Sequence, residues 1–154
     1  MKTEGLKKLC CVILGVALTV SVADAQTPAG KETTVESDSF RLDLEKQTGV
    51  FLGGVHVVDA EFELTADEMT LFFDKGNKIE RMSARGNVVI KQGEKQTATG
   101  HEADYEVAGK KLRLTGNPQV QQGGNKVTGK VIYLYPGSDR MEVEGRSKVR
   151  FYQQ

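Results

Sequence analysis

The sequence predicts an all-β fold, a sandwich, jelly roll or short solenoid assembled from four related units. Three observations carry this. Apolar and charged residues alternate strictly in Phe40-Arg41-Leu42-Asp43-Leu44, Leu112-Arg113-Leu114 and Met141-Glu142-Val143, the period of a strand with one wet face. Glycines that close such stretches recur at Gly53, Gly86, Gly116 and Gly145, at intervals of 33, 30 and 29 residues. Beyond residue 25 no stretch offers a clean helical period, and the 15 glycines there suit turns and penalise helix.

The chain of 154 residues opens with the features of an export signal. Lys2, Lys7 and Lys8 precede or adjoin Leu9 to Val22, a mostly apolar run of about 14 residues. Spanning a bilayer takes roughly 18 to 20, so removal is expected rather than anchoring. Ala23-Asp24-Ala25 is a small-x-small cleavage site, which places the cut before Gln26. Cys10 and Cys11 open the apolar run instead of following it, the wrong place for a lipid-modified cysteine. Removing residues 1–25 leaves no cysteine, so the exported domain has neither disulfides nor thiolate metal sites and must be held by core and sheet hydrogen bonds. Of 21 basic and 21 acidic residues, 18 and 19 remain in the mature 129, a net charge of −1 that argues against a broadly cationic nucleic-acid binder. Residues 26–33 read as a flexible N-terminal segment and 34–154 as the folded domain.

The stretches before the closing glycines align in columns. Val35, Leu64, Ala98 and Val127 form one; Ser37, Ala66, Gly100 and Gly129 form a column of small residues. Phe40, Met69, Ala103 and Ile132 follow, then Leu42, Leu71, Tyr105 and Leu134. The step from the small column to the Phe40 column is three residues, which a regular strand cannot make without a bulge or bend, so an irregularity is expected there in each unit. Each unit then turns, at Gly49, Gly76, Gly109 or Gly137. A returning strand follows, carrying Val50 and Leu52, or Ile79, Met82 and Ala84, or Leu112 and Leu114, or Met141 and Val143. Past the closing glycine a further short strand runs on, with Val55 and Val57, Val88 and Ile90, Val120, or Val149 and Phe151. Glycine at these corners allows a sharp bend between two sheets. Three or four short strands per unit give roughly a dozen in all.

Little of this composition suits catalysis. His56 and His101 stand alone in their stretches, without metal-ligand spacing, and read as strand histidines. Asp38 and Asp67 recur at equivalent positions, which argues for a repeated structural role. No nucleophile elbow, zinc motif or phosphate-binding loop occurs, and Gly123-Gly124-Asn125 reads as a hairpin turn. Tyr105, Tyr133, Tyr135 and Tyr152 lie at strand spacing, where tyrosines pack or cover a sheet more often than they stack sugars or bases. No enzyme, metal or cofactor is expected.

Gly86-Asn87-Val88-Val89-Ile90-Lys91-Gln92-Gly93, followed by Ala98, Gly100, Ala103, Tyr105 and Leu112-Arg113-Leu114-Thr115-Gly116-Asn117-Pro118-Gln119-Val120, resembles the OstA/LptA family. Gly123 to Gly129, Ile132 and Met141-Glu142-Val143-Glu144-Gly145 extend the likeness, which covers about Val35 to Phe151 and is loosest over Val35 to Gly53. The resemblance implies a periplasmic bridge for lipopolysaccharide transport from inner to outer membrane. It implies an open β-jelly roll, a folded antiparallel sheet with an apolar groove for the acyl chains of lipid A. It also implies edge-to-edge stacking of protomers and of related domains on inner- and outer-membrane Lpt partners, with an inner-membrane ABC transporter supplying the driving force. The chain is short for the family, which implies a shorter groove or a missing terminal strand. An inner-membrane relative would keep its anchor and an outer-membrane one would continue into a barrel, so the cleavage site favours the soluble bridge.

Placed on that fold, the aligned columns make an apolar lane of Phe40, Leu42, Met69, Leu71, Tyr105, Leu114, Ile132, Leu134 and Val143, the expected lipid contacts. Lys91, Lys95 and Arg113 are within the stretch that could meet a headgroup, though solvated surface is the plainer reading. The open edges are expected at Phe40 to Leu44 and Met141 to Phe151, with Leu42, Leu44, Met141, Val149 and Phe151 as assembly residues and no proline to block added pairing. Joining unlike edges is heterologous and generates an open filament. A fully packed, non-lipid-binding β-repeat protein of the envelope is the alternative.

Overall fold

The structure is a computed structural model that describes residues 33–60, 62–138 and 140–152; the expected signal and most of the flexible segment lie outside them. Among the described residues there are twelve strands and no helix. In chain order they are β1 (Thr34–Glu36), β2 (Ser39–Asp43), β3 (Thr48–Val58), β4 (Glu63–Phe73), β5 (Ile79–Gln92) and β6 (Gln96–Glu106). β7 (Lys111–Thr115), β8 (Gln119–Gln122), β9 (Asn125–Thr128), β10 (Val131–Tyr135), β11 (Arg140–Glu144) and β12 (Lys148–Arg150) complete the set. All pairs are antiparallel.

The long strands β3, β4, β5 and β6 cross a corner, and their two halves belong to two leaves. The first leaf runs β2, β3, β4, β5, β6, β7, β10, β11, and the second runs β1, β3, β4, β5, β6, β8, β9, β12. Each leaf therefore holds eight strand segments. Residues of both leaves share each of the two apolar clusters: Val55 and Val57 pack with Met69 and Leu71, and Val88, Val120 and Val127 pack with Leu114 and Ile132. This is the open β-jelly roll, a single sheet folded so that its two halves bury a common interior.

Four near-identical corners produce the fold. Gly53, Gly86, Gly116 and Gly145 have φ of 79°, 76°, 72° and 69°, and each is followed by a second residue at positive φ, Gly54, Asn87, Asn117 or Arg146. Opposite them stand Asp38, Asp67, His101 and Lys130, the position just after the small column in each unit. A methyl on Gly145 would sit 2.7 Å from Cβ of Lys130, and at the other three the clash is closer still. Only glycine meets both demands, the left-handed backbone and the close approach. The expected three-residue step appears as breaks in register around Asp67 and His101, where Thr65/Glu68 and Arg85/Val88 flank unpaired residues. At the third corner Pro118 supplies no N–H, and the strand splits into β7 and β8.

Two details depart from the sequence reading. Gly49 is not in a turn. It lies within β3, the β2–β3 turn being residues 44–47 with Gln47 at φ 52°. Its bare Cα makes room for the rings of Phe40 and Phe73, 3.2 and 3.4 Å from where a Cβ would stand. The apolar face of early β3 is also reversed: Phe51, not Val50 or Leu52, points inward. Phe51 pairs with Phe40 and Met69, whereas Leu52 pairs with Ser39 and Glu68 and is exposed. Three successive apolar residues leave alternation ambiguous, and the partner strands decide.

Candidate functional site

The aligned sequence columns become cross-strand rows. In the first leaf Phe40, Phe51, Met69, Ala84, Ala103, Leu114, Ile132 and Val143 are successive partners from edge to edge. Beside them runs a second row: Leu42, Gly49, Leu71, Met82, Tyr105, Leu112, Leu134 and Met141. In the second leaf Val35, Val57, Leu64, Ile90, Ala98, Val120, Val127 and Val149 make a third. A sheet built from repeats with one period must stack like residues this way, because each strand pair shifts the chain by one unit.

Burial varies along the rows. The middle is closed: Leu114 and Ile132 are 0 % exposed, and Met69, Leu71 and Leu134 are buried. Tyr105 and Val143 are half-buried against the same cluster. The ends are open. Phe40 is 54 % and Leu42 49 % exposed at one edge, with the Phe40 and Phe51 rings 4.5 Å apart. At the other edge Val149 and Phe151 are exposed, and a cavity of about 300 Å³ opens between the leaves, lined by Val120, Val127, Met141, Val143, Val149 and Phe151 together with the polar Gln122 and Asn125. Among the described residues the interior buries no polar or charged side chain. Such an interior suits hydrocarbon.

Of the expected edge residues, Leu42 lies on β2, Met141 on β11 and Val149 on β12, each strand having a neighbour on one side only. Leu44 falls in the β2–β3 turn, and Phe151 follows β12. Sequence columns had left out Phe51, Met82, Ala84, Leu112 and Met141, which complete the rows from the returning strands; for all but Phe51 the signal was present in the alternation of those strands.

Charges line the outer face. Arg113 pairs with Asp104 at 3.8 Å, and Lys91 with Glu63 at 3.9 Å; Glu63 also meets His56 Nε2 at 2.8 Å. His101 stands apart from His56 on a corner, and no group of three metal-ligating side chains occurs among the described residues. At the C-terminal edge Arg140 hydrogen-bonds Glu142 and lies over the Tyr135 ring, while the Tyr135 hydroxyl donates to Glu142 at 3.0 Å. The Arg140 guanidinium, and then the Tyr135 hydroxyl, hold the Glu142 carboxyl below the usual carboxylate range. Asp43 is held low as well, chiefly by the Lys46 backbone N–H in the β2–β3 turn.

No curated protein sequence matches the chain. Among solved structures it is similar to LptH of Pseudomonas aeruginosa, described as the LptA-homologous periplasmic component of the conserved lipopolysaccharide transport device. The TM-score is 0.73 at 21% identity, over 80% of this chain and 96% of that one, a likeness of fold. The sequence model of the LptA/LptD N-terminal domain family matches residues 34–140, the span from β1 to the start of β11. With the folded sheet, its repeated corners and its wholly apolar interior, that match places the chain in the family of LptA/LptD N-terminal domain lipopolysaccharide transport proteins.

Proposed function

We propose that this chain is a non-enzymatic periplasmic carrier that shields the acyl chains of lipopolysaccharide between its leaves and hands them from inner to outer membrane. The observation that carries the reading is the three apolar rows, which run from one sheet edge to the other; Phe40 and Leu42 emerge exposed at one edge and Val149 at the other, while Val35, Met141 and Val143 are half-buried. Each CH₂ removed from water contributes about 0.8 kcal/mol, so even partial cover of an acyl chain is substantial. The sugar and phosphate headgroup stays in water. In this reading residues 1–25 are the cleaved export signal, copies stack head to tail, and related domains of membrane-bound Lpt partners meet the same two edges. Phe40, Leu42, Met69, Leu71, Tyr105, Leu114, Ile132, Leu134 and Val143 form the lane. The exposed terminal residues receive lipid first, and the closed middle admits it only as the leaves part.

The complete burial of Leu114 and Ile132 favours a second reading, a packed structural β-repeat protein that carries nothing. Mass spectrometry of lipid extracted from the purified mature protein separates the two. A photo-crosslinker at Leu71 or Leu134 should capture lipopolysaccharide, while one at Thr70 or Tyr133, on the opposite face, should not. Equal labelling of both faces, or no acyl chains at all, defeats the carrier.

A further inference from the structure

We infer that the outer face of the second leaf, at its C-terminal end, is a docking surface for an anionic lipid bilayer. It lies on the side of the sheet away from the acyl-chain lane and goes beyond the carrier reading.

Five cations gather there. Lys126 lies on β9, Lys148 and Arg150 on β12, and Lys130 and Arg146 at the fourth corner. On β9 and β12 they alternate with Val127 and Val149, which line the interior, so they face outward. All but Lys126 are exposed. Tyr152 stands two residues beyond Arg150, beside Gly124, and is 67 % exposed. Elsewhere on the sheet cations find carboxylates: Arg85 meets Glu102, Lys91 meets Glu63, and Arg113 meets Asp104. Among the described residues none of the five has an ion pair, and neighbouring Glu144 pairs with none of them.

The arrangement works against the fold. Lys126 and Arg150 are direct cross-strand partners, and like charges so placed repel. Arg146 holds φ of 36°, in the left-handed region that Gly54, Asn87 and Asn117 occupy at the other corners. Glycine and asparagine adopt it readily and arginine does not. At the same corner Lys130 stands where the second corner has Asp67, which accepts a hydrogen bond from Asn87 at 2.9 Å. Departures from local preference collect where a surface has another task. Guarding an open edge accounts for Lys148 and Arg150. It does not account for Lys126, whose strand is paired on both sides, or for Lys130 and Arg146 at the corner.

The chemistry fits a bilayer surface. Unpaired cations on one face attract lipid phosphates, and each one near the surface strengthens binding about fivefold. A tyrosine among them suits the headgroup layer. Across the sheet the same outer face is uncharged at Thr97, Thr99, Gln119 and Gln121, then carries Glu63 with its partner Lys91, and reaches Glu36 on β1. Only the C-terminal end is therefore drawn to an anionic surface. The cations face away from the interior, which favours a bilayer over the headgroup of a lipid held between the leaves.

The test is co-sedimentation of the mature protein with vesicles of phosphatidylcholine, alone or mixed with phosphatidylglycerol, with circular dichroism to confirm the fold of each variant. Binding is expected to the mixed vesicles only. It should vanish in about 1 M salt, where the screening length falls to about 3 Å. Arg146→Asn should weaken it about fivefold and also raise the melting temperature, since asparagine suits the left-handed corner. Lys148→Gln/Arg150→Gln should weaken it about 25-fold. Lys75→Gln/Lys78→Gln, in the turn between β4 and β5 at the end of the first leaf, should leave it unchanged. Equal binding to both kinds of vesicle assigns the affinity to the apolar interior and overturns the docking surface. An equal loss from the Lys75/Lys78 variant makes net charge the cause and overturns it as well. No binding to either vesicle also overturns it and leaves the cations to an acidic protein. The carrier is judged separately, by the acyl chains extracted from the purified protein.

Discussion

Gly116 lies against His101: the His101 backbone N–H donates to the Gly116 carbonyl at 3.1 Å, and the His101 Cβ occupies the space a Gly116 side chain would need. The equivalent contact recurs between Asp38 and Gly53, Asp67 and Gly86, and Lys130 and Gly145. Alanine at Gly86 or Gly116 should therefore cost both left-handed backbone, about 1–2 kcal/mol, and overpacking, about 1–3 kcal/mol. Gly123 also has positive φ, but nothing lies within 4 Å of it, and alanine there should cost the backbone part alone. Urea denaturation midpoints of the three variants check the ranking; equal losses would remove the close approach from the account.

The burial gradient along the rows predicts a separation of stability from lipid capture. Leu114→Ala should destabilise the fold by about 2–5 kcal/mol, as truncations at fully buried sites do. Leu42→Asp, at the open edge, should leave the unfolding midpoint nearly unchanged and still lower the lipid that co-purifies. Denaturation and quantitative lipid extraction on both variants provide the check, and retention of lipid by Leu42→Asp would move the entry point elsewhere.

Glu142 gives the C-terminal edge a pH dependence of known sign. Its folded-state carboxyl titrates below its unfolded value, because the Arg140 guanidinium and then the Tyr135 hydroxyl bind the charged form. The stabilisation is therefore complete above the ordinary carboxylate range and disappears as pH falls through the lower folded value. Glu142→Gln should melt below the wild type at neutral pH, and the gap should close in acid. Thermal denaturation across a pH series reads this directly; a gap independent of pH would place the effect in packing.

Ala23-Asp24-Ala25 predicts a mature N-terminus at Gln26. Intact-mass measurement of protein from the envelope fraction should find it. A retained Met1, or a lipid on Cys10 or Cys11, would contradict the expected processing.

Much of this architecture was legible because repetition in the sequence is repetition in space. Val35, Leu64, Ala98 and Val127 align as letters and then lie along one row, and the three-residue step past Ala66 and Gly100 marks the corner strands cross. Gly49 was misread for a physical reason: glycine serves turns and close approaches equally well, and only the Phe40 and Phe73 rings reveal which. Phe51 was missed because Val50-Phe51-Leu52 carries no alternation. Continuous strands through the first corners were also hidden, since the closing glycines read as breaks, whereas β3, β4, β5 and β6 bend and continue. The degree to which the interior closes was beyond any pattern, because it depends on how nearly two leaves of the same sheet approach.

An interior that buries no polar side chain among the described residues has a kinetic meaning for whatever hydrocarbon enters it. A guest moving sideways by one strand spacing, about 4.8 Å, exchanges one set of methylene contacts for another of the same kind. No hydrogen bond has to break and no buried charge has to be passed. Such a surface has no polar stopping place and no built-in direction, and the closed middle has to part before a guest can pass between the open ends. Net flow would have to be imposed from outside, by whatever loads one end and empties the other.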